Sequence, residues 1–504
     1  RHPFISIPAA VGAAIMSPKF GWGLTTVPQK HVNGRQIPLP RGKVIGGSGS
    51  INGMAYYRGP RQDFDDWAAM GNPGWSYADL LPYFLRSEHN PEFEGSRWHA
   101  TGGPMGVSFP TSRNPLCEAF NAGIAALGYE ECRDFNAPEP HGYGYRQGTI
   151  WKGRRVSTAS AYLRPAMSRP NLEVLTQTRT RRILFERRRA AGVEIEADGR
   201  VARLRARREI VLCAGTFHSP HVLLNSGVGD AQDLRSWGVE PVHHLPAVGR
   251  NLQDHPSAFV VMDMDDTTSY GHSWKALPRN IAQCGQYLLK RTGMLASNLF
   301  ETNAYIRTRP GLDRPDMQVV FQPARRNPRP FPIPLGHGFV VAIVCLYPES
   351  RGSVRLSGPD PLAAPLIDPA LLESEADLRT LVDGLKLARR IIAHDGFARY
   401  RAHERAPGGA VADDAALADY IRETLVTVHH PASTCRMGPA GDTTVVDAEL
   451  RVHGLEGLRV ADASIYPRLV GANTNASVVA IAEKASDMIL GKALPPPIEV
   501  SSAA

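Results

Sequence analysis

Apolar and polar positions along the chain fall into two textures. In the first, short uninterrupted apolar runs lead into helices. Ile210-Val211-Leu212-Cys213-Ala214-Gly215 is such a run, suited to a strand buried on both faces of a parallel sheet. Ser219-Pro220 follows and predicts an N-cap with proline at the first helical position. The helix then runs through Val222-Leu223-Leu224 and stops at Gly227. Leu458-Arg459-Val460-Ala461 predicts a second buried strand. After a loop comes a helix from about Asn475 to Leu490, with Val478, Ile481, Ala482, Ala485 and Ile489 on one face. In the second texture, Phe339 to Tyr347 reads as a strong strand with Gly352-Ser353-Val354-Arg355-Leu356 as its neighbour. Ser374 to Ala393 predicts an amphipathic helix with Leu378, Leu381, Val382 and Leu385 inward, Ser374 and Asp377 as a capping box, and Gly396 beyond its end. The pattern is a nucleotide-type α/β unit interrupted by a sheet-plus-helix unit.

At 504 residues the chain is long for one core, so two domains are expected. A composition of 43% hydrophobic and 21% charged residues belongs to an ordinary globular protein. Six cysteines without a CxxC pair favour buried, reduced thiols in an intracellular protein over a disulfide framework or a zinc site. The net charge of +8 gathers in arginines 179 to 189 and 203 to 208, around expected strands at Arg182-Ile183-Leu184-Phe185 and Ile210-Val211-Leu212. With no interleaved aromatic residues and no binding motif, a solvated hairpin is preferred to a nucleic-acid surface. Weak attraction to anionic membranes stays open. No stretch reaches 18 apolar residues, so no helical span is expected. Pro8 to Met16 is short and poorly flanked for a signal peptide. The expected location is cytoplasmic, with at most peripheral contact at the inner membrane. Pro323 to Pro334 reads as a loop, ordered or mobile, and Pro495 to Ala504 as a disordered end.

Two segments carry chemistry. Gly46-Gly47-Ser48-Gly49-Ser50 lets backbone approach a flat or phosphorylated ligand, although no GK[ST] follows and a flexible loop is the plainer alternative. The C-terminal block His429-His430-Pro431-Ala432-Ser433-Thr434-Cys435, followed by Asp462-Ala463 and Gly471-Ala472-Asn473-Thr474-Asn475, supplies a candidate base, a polar partner and a helix start. Imidazole suits the role of a base because it ionises near neutrality. A helix start favours an anionic ligand edge. Metal is not expected: His243-His244 and His429-His430 are adjacent pairs with diverging side chains, and HExxH is absent. A serine hydrolase is disfavoured by the lack of GxSxG.

Pro40 to Gly53, Gly215 to Gly229, Val248-Gly249-Arg250-Asn251-Leu252-Gln253-Asp254-His255 and the C-terminal block together resemble the glucose–methanol–choline (GMC) oxidoreductases, over nearly the whole chain. The resemblance implies an α/β fold with a discontinuous, Rossmann-like FAD-binding domain and an α+β substrate domain built on an antiparallel sheet. It places FAD-binding parts at 1–59 (truncated), 150–256 and 436–490, substrate-domain parts at 60–149 and 257–435, and a disordered tail at 491–504. It implies FAD contacts at Gly46, Gly47, Ser48, Ser50, Asn52, Gly53, Thr180, Asp462, Ala463 and Asn475. Ile51 stands where some members carry a flavin-linked histidine, so the FAD is expected to be non-covalent. His430 and Asn473 fall on the positions of the base and its amide partner, while His255 reads as structural.

The implied reaction is oxidation of a primary alcohol to an aldehyde, with oxygen or a quinone as electron acceptor. Ser297-Asn298-Leu299-Phe300-Glu301 is similar to the Ser-Asn-His-Phe-Glu segment of choline-oxidising members. Glu301, with His429, is therefore a substrate-side candidate that offsets a quaternary ammonium or else pairs with an arginine. Leu299 and His429 depart from that pattern and keep an aliphatic or aromatic alcohol equally open. A non-redox lyase on the same scaffold and an inactive fragment are the alternatives. No complete GxGxxG occurs. The first strand–helix–strand unit, roughly 30–45 residues in such folds, is expected to be missing. The chain as written is therefore expected to hold FAD weakly.

Overall fold

The computed structural model describes residues 2–326, 335–400 and 402–500. Its larger layer is a seven-stranded antiparallel sheet in the order Ala402–Ala406, Pro256–Met264, Gly338–Cys345, Met317–Gln322, Thr302–Ile306, Gly142–Tyr145. Val426–Thr427 pairs with the start of Pro256–Met264. Helix Glu375–Ile392 covers one face through Leu381, Leu385, Ala388 and Ile391. Gly384 permits the close approach, since a Cβ there would lie 2.2 Å from Ile343 Cγ2.

Two local expectations are corrected here. Gly352–Arg355 does not neighbour Gly338–Cys345. That strand has long partners on both edges, so Gly352–Arg355 pairs with Arg250–Leu252 and Leu366–Asp368 in a separate sheet. Ser374 caps Ala376 N at 3.2 Å, but Asp377 does not complete the box. Its carboxylate accepts from Glu349 N and Ser350 N at 2.7 and 3.1 Å, so tertiary hydrogen bonds replace the local one.

In the nucleotide-type half, Ile210–Leu212 and Leu458–Val460 pair in parallel, Ile210 opposite Leu458. Among the described residues this parallel sheet has two strands, fewer than a doubly wound sheet carries. Helix Gly215–Asn225 starts four residues before the predicted cap. Ser219 is inside it, accepting from Ala214 N at 3.0 Å and donating to Asp462 at 2.5 Å. Pro220 cannot serve the carbonyl four residues back, and Thr434 Oγ1 donates to that Thr216 carbonyl instead, at 2.6 Å.

The C-terminal helix Asn475–Leu490 forms where predicted but buries a different face. Ala476, Val479, Ala480, Ile481 and Ala485 are inside, while Ala482 and Ile489 are exposed. The reason is tertiary: helices Arg61–Ala69 and Tyr77–Ser87 bring Trp67, Trp75 and Phe84 into the same core. Trp67 and Trp75 donate to the Arg468 and Ala448 carbonyls at 2.9 and 2.8 Å.

The arginine-rich segment is a three-stranded antiparallel unit, Thr178–Glu186, Arg189–Ala197 and Arg200–Arg205. Glu194 gathers Arg181, Arg182 and Arg203 at 3.1–3.7 Å. All six cysteines are free, and Cys213 and Cys284 are exposed rather than buried as expected. The proline-rich stretch falls partly outside the described residues, at 327–334. The described part of the expected tail lies against the protein, with Ile498 N donating to the Ala78 carbonyl at 3.1 Å.

The exit of the glycine-rich segment is pinned by a buried ion cluster. Arg58 donates to Glu88 at 2.7 Å, both fully enclosed, and His99 bridges Glu88 and Asp134 at 3.0 and 2.9 Å. Burial alone would lower the His99 pKa, but the two carboxylates raise it above 6.5. Its contribution to stability is therefore complete below 6.5 and fades as pH rises through the raised value. Glu88→Ala leaves Arg58 buried without its carboxylate and is expected to cost about 3–5 kcal/mol, read from the urea midpoint.

Candidate active site

The site is built where segment Thr427–Ser433 crosses between the two halves. Val428 N donates to the His255 carbonyl at 3.0 Å, and Ala432 and Gln253 exchange backbone hydrogen bonds. Thr216 Oγ1 holds the Pro431 carbonyl at 2.7 Å, and Ser433 N donates to Ala463 at 3.1 Å. Arg41 donates to the His429 carbonyl at 2.6 Å. His429 has φ of +65°, a left-handed turn that sends its side chain away from the next one. His429 N then meets Thr427 Oγ1 at 3.2 Å, and His430 N meets Asp254 Oδ1 at 2.7 Å.

The His430 ring is held at both nitrogens. Asn473 Nδ2 lies 3.0 Å from Nε2, and His255 Nδ1 lies 3.1 Å from Nδ1. The Asn473 side-chain amide meets Nε2 and the His255 ring meets Nδ1, so a neutral His430 ring can use one nitrogen as donor and the other as acceptor. His255 Nε2 is buried and has no hydrogen-bond partner among the described residues. Desolvation, followed by the neighbouring His255, Arg41 and His429, pushes the His430 pKa well below 6.5. The ring keeps a partly open edge, yet protein surrounds it closely enough for burial to dominate. Burial likewise lowers His255 to about 4. Two neutral imidazoles result.

Asn473 is delivered by a loop that Asp63 anchors. Asp63 accepts from Gly471 N at 2.6 Å, and from Tyr347 Oη and Arg314 Nη1 at 2.9 Å each. Gly471 is required because a Cβ there would lie 2.2 Å from Tyr347 Oη. Asn473 Oδ1 is buried and unpaired.

Beside this pair, Gly46 and Gly47 adopt φ of +86° and +53° and open a short turn over Gly47–Ser50. Ser50 and Ser48 hydroxyls close it on the Ile45 carbonyl and Gly42 N at 2.8 and 3.1 Å. A Cβ on Gly49 would stand 3.5 Å from Asn475 Nδ2, so the turn abuts the start of helix Asn475–Leu490. That start has no side-chain cap and no acidic residue in its first turn. A glycine cradle facing free helix N–H groups fits the flavin end of FAD, which is anionic when reduced.

The structure thus brings His430, Asn473, His429, Asn475 and the stretch Gly46 to Gly53 to one place. Asn52 belongs to it through Arg155, whose Nη1 donates to Asn52 Oδ1 and its carbonyl at 2.6 Å each. Asp462 and Ala463 lie next to it but are engaged by protein. Asp462 accepts from Gly215 N, Ser219 and Ser464 N at 2.5–2.9 Å. Thr180 is exposed on the hairpin strand.

Segment 297–301 meets the glycine-rich stretch through Asn298 Nδ2, which donates to the Gly53 carbonyl at 2.7 Å, and Glu301 is hydrogen-bonded within the protein. Tyr270, Ser297 and Asn114 N donate to it at 2.7–2.8 Å, and Cys117 Sγ lies 3.5 Å away. No arginine is paired with it among the described residues. The carboxylate instead anchors the start of helix Pro115–Ala125, and burial raises its pKa. His255, Arg41 and Arg155 were missed as site residues. Arg155 had a local signal, since it follows Arg154 on a two-residue strand and so points to the opposite, inward side. His255 and Arg41 had none.

Among the described residues, no cluster of three or more His, Cys, Asp or Glu could hold a metal ion. A cleft of about 420 Å³ lined by Arg189, Arg208, Arg451 and Arg459 shares no residue with the site.

Known proteins resemble this chain over nearly its whole length. The chain is 40% identical over 491 residues to an oxygen-dependent choline dehydrogenase of Sinorhizobium fredii, covering 97% of this chain and 89% of that one. It superposes on pyridoxine 4-oxidase from Mesorbium loti with a TM-score of 0.87 and 32% identity, covering 98% and 92% of the two chains. An FAD-dependent oxidoreductase from Chaetomium thermophilum gives 0.86 and 25%, covering 97% and 92%. The family model described as GMC oxidoreductase matches residues 12–257 with its N-terminal part and 348–482 with its C-terminal part. The chain belongs to the GMC oxidoreductase family.

Proposed function

We propose that the site oxidises a primary alcohol to its aldehyde, with His430 Nε2 taking the hydroxyl proton while Asn473 Nδ2 holds the alcohol oxygen. Membership of the family carries the general activity, FAD-dependent oxidation of an alcohol. FAD, when bound, supplies the hydride acceptor at N5. Gly46, Gly47, Ser48, Ser50, Asn52, Gly53 and Asn475 would hold its ring end, with Thr180, Asp462 and Ala463 toward the nucleotide. Ile51 is buried and aliphatic, so it offers no atom for a covalent link.

The observation that carries this reading is the 3.0 Å contact between His430 Nε2 and Asn473 Nδ2, beside the uncapped helix start at Asn475. An alcohol oxygen entering there can accept from the amide and donate to the imidazole. A neutral imidazole is ready to take that proton without first losing one of its own. His255 acts as a positioning residue: by accepting from Nδ1 it keeps the His430 lone pair on Nε2.

Neutral donors hold the Glu301 carboxylate without supplying a countercharge, and a quaternary ammonium donates no hydrogen bond that would compete with them, so these contacts do not separate choline from an uncharged alcohol. Choline and an aliphatic or aromatic alcohol stay equally open, and the relative from Sinorhizobium fredii is a choline dehydrogenase by name. The lyase alternative draws no support from the proteins compared. Among the described residues, no helix is long and apolar enough to cross a membrane.

Anaerobic mixing of the flavin-loaded protein with benzyl alcohol, decanol and choline tests the assignment through loss of flavin absorbance. His430→Ala is expected to slow that loss about 10²–10⁴-fold with whichever of the three is oxidised fastest; bleaching at an unchanged rate in the variant would remove His430 from the chemistry. Protonated His430 cannot accept a proton, and its pKa is lowered. The acid limb of kcat/KM should therefore fall below pH 6.5. In His255→Ala, kcat should fall with KM nearly unchanged, and the acid limb should move up toward 6.5 because one of the influences lowering the His430 pKa is gone. A merely structural His255 would leave the limb in place.

A further inference from the structure

Helix Leu277–Lys290 is inside out. Its polar side chains face the protein: Asn280 donates to the Gly271 carbonyl at 3.2 Å, Gln283 Oε1 accepts from Met294 N at 2.8 Å, and Gln286 reaches Thr292 at 3.2 Å. Tyr287 Oη donates to the Gly153 carbonyl at 3.0 Å. The apolar side chains face outward. Leu277 is 43% exposed, Ile281 63%, Leu288 69% and Leu289 85%, with Trp274 just before the helix at 89%. Helical spacing places residues 277, 281, 284 and 288 on one stripe, and Cys284 is the exposed residue between. A globular protein rarely leaves so continuous an apolar face in water without a use for it.

The charge around this face points to its partner. From residue 267 to residue 300 the sequence contains no Asp or Glu. Lys275 and Lys290 flank the apolar stripe and are exposed. Lys152 and Arg154, also exposed, bracket Gly153, the residue that Tyr287 holds. None of these four cations forms an ion pair among the described residues. An apolar stripe with an exposed tryptophan at one end and unpaired cations around it matches a helix lying in the headgroup zone of an anionic bilayer. A second copy of the chain matches less well, because a two-fold contact through this stripe would set the same cations against each other.

We propose that helix Leu277–Lys290 is a monotopic membrane-binding surface that seats the protein on anionic lipid, with Trp274, Ile281, Leu288 and Leu289 in the acyl boundary and the lysines at the phosphates. This surface shares no residue with the catalytic site, and binding to it does not require FAD or turnover.

Co-sedimentation of the full chain with vesicles of phosphatidylcholine, with or without phosphatidylglycerol, tests the proposal. Binding is expected to phosphatidylglycerol vesicles and to weaken with salt. The triple variant Ile281→Gln, Leu288→Gln, Leu289→Gln should abolish it while leaving the thermal midpoint unchanged, because those side chains are exposed in the free protein. Lys275→Gln and Lys290→Gln should weaken it about fivefold each, which keeps the test valid should the triple variant fail to fold. Equal sedimentation of all forms, or no binding to either vesicle, would overturn the proposal. So would a lipid-free dimer in sedimentation velocity that the triple variant dissolves, since it would assign the face to a second copy.

Discussion

The arrangement depends on keeping one imidazole uncharged in a crowded seam. The His430 ring lies where a charged form would lose most of its hydration, with the Arg41 guanidinium and the His429 ring nearby. Only neutral groups touch its nitrogens, the amide of Asn473 and the ring of His255. A base built this way is defined by its surroundings, and each surrounding group comes from a different part of the chain.

The seam is correspondingly dense in polar contacts. Thr434 serves the carbonyl that Pro220 leaves open, and Thr216 returns a hydroxyl to Pro431. These exchanges tie the helix after the parallel strand to the segment bearing His430. On the other side, Asp63 collects the loop of Asn473 together with Tyr347 and Arg314 from the sheet half. Burial lifts the Asp63 carboxyl to about 6 even with a guanidinium beside it, a measure of how dry that junction is. The two sides of the His430–Asn473 contact are thus fixed from opposite halves of the molecule.

Surface chemistry follows the same rule of context. The arginines of the three-stranded hairpin look like an interaction patch in sequence, yet several are matched by Glu194, Glu196 and Glu186. Helix Leu277–Lys290 looks like an ordinary amphipathic segment, yet its apolar side is outside. Periodicity shows that a helix has two faces and says nothing about which one meets the protein.

Local codes were legible in the sequence: the apolar runs at 210–212 and 458–460, the span of the C-terminal helix from Asn475, the amphipathic helix 375–392, and the glycine-rich turn at 46–50. Each depends on residues within a few positions of one another, and so survives in a one-dimensional reading. Long-range competition decided the rest. Ser219 left its predicted cap for Asp462, Gly352–Arg355 found partners away from an already flanked strand, and Glu301 gathered the donors Tyr270, Ser297 and Asn114 N from separate parts of the chain. His255 became a partner of His430 only because Val428 pairs with it across 173 positions of sequence. Hydrogen-bond donors and desolvation act through space, and only the folded chain sets which of them meet.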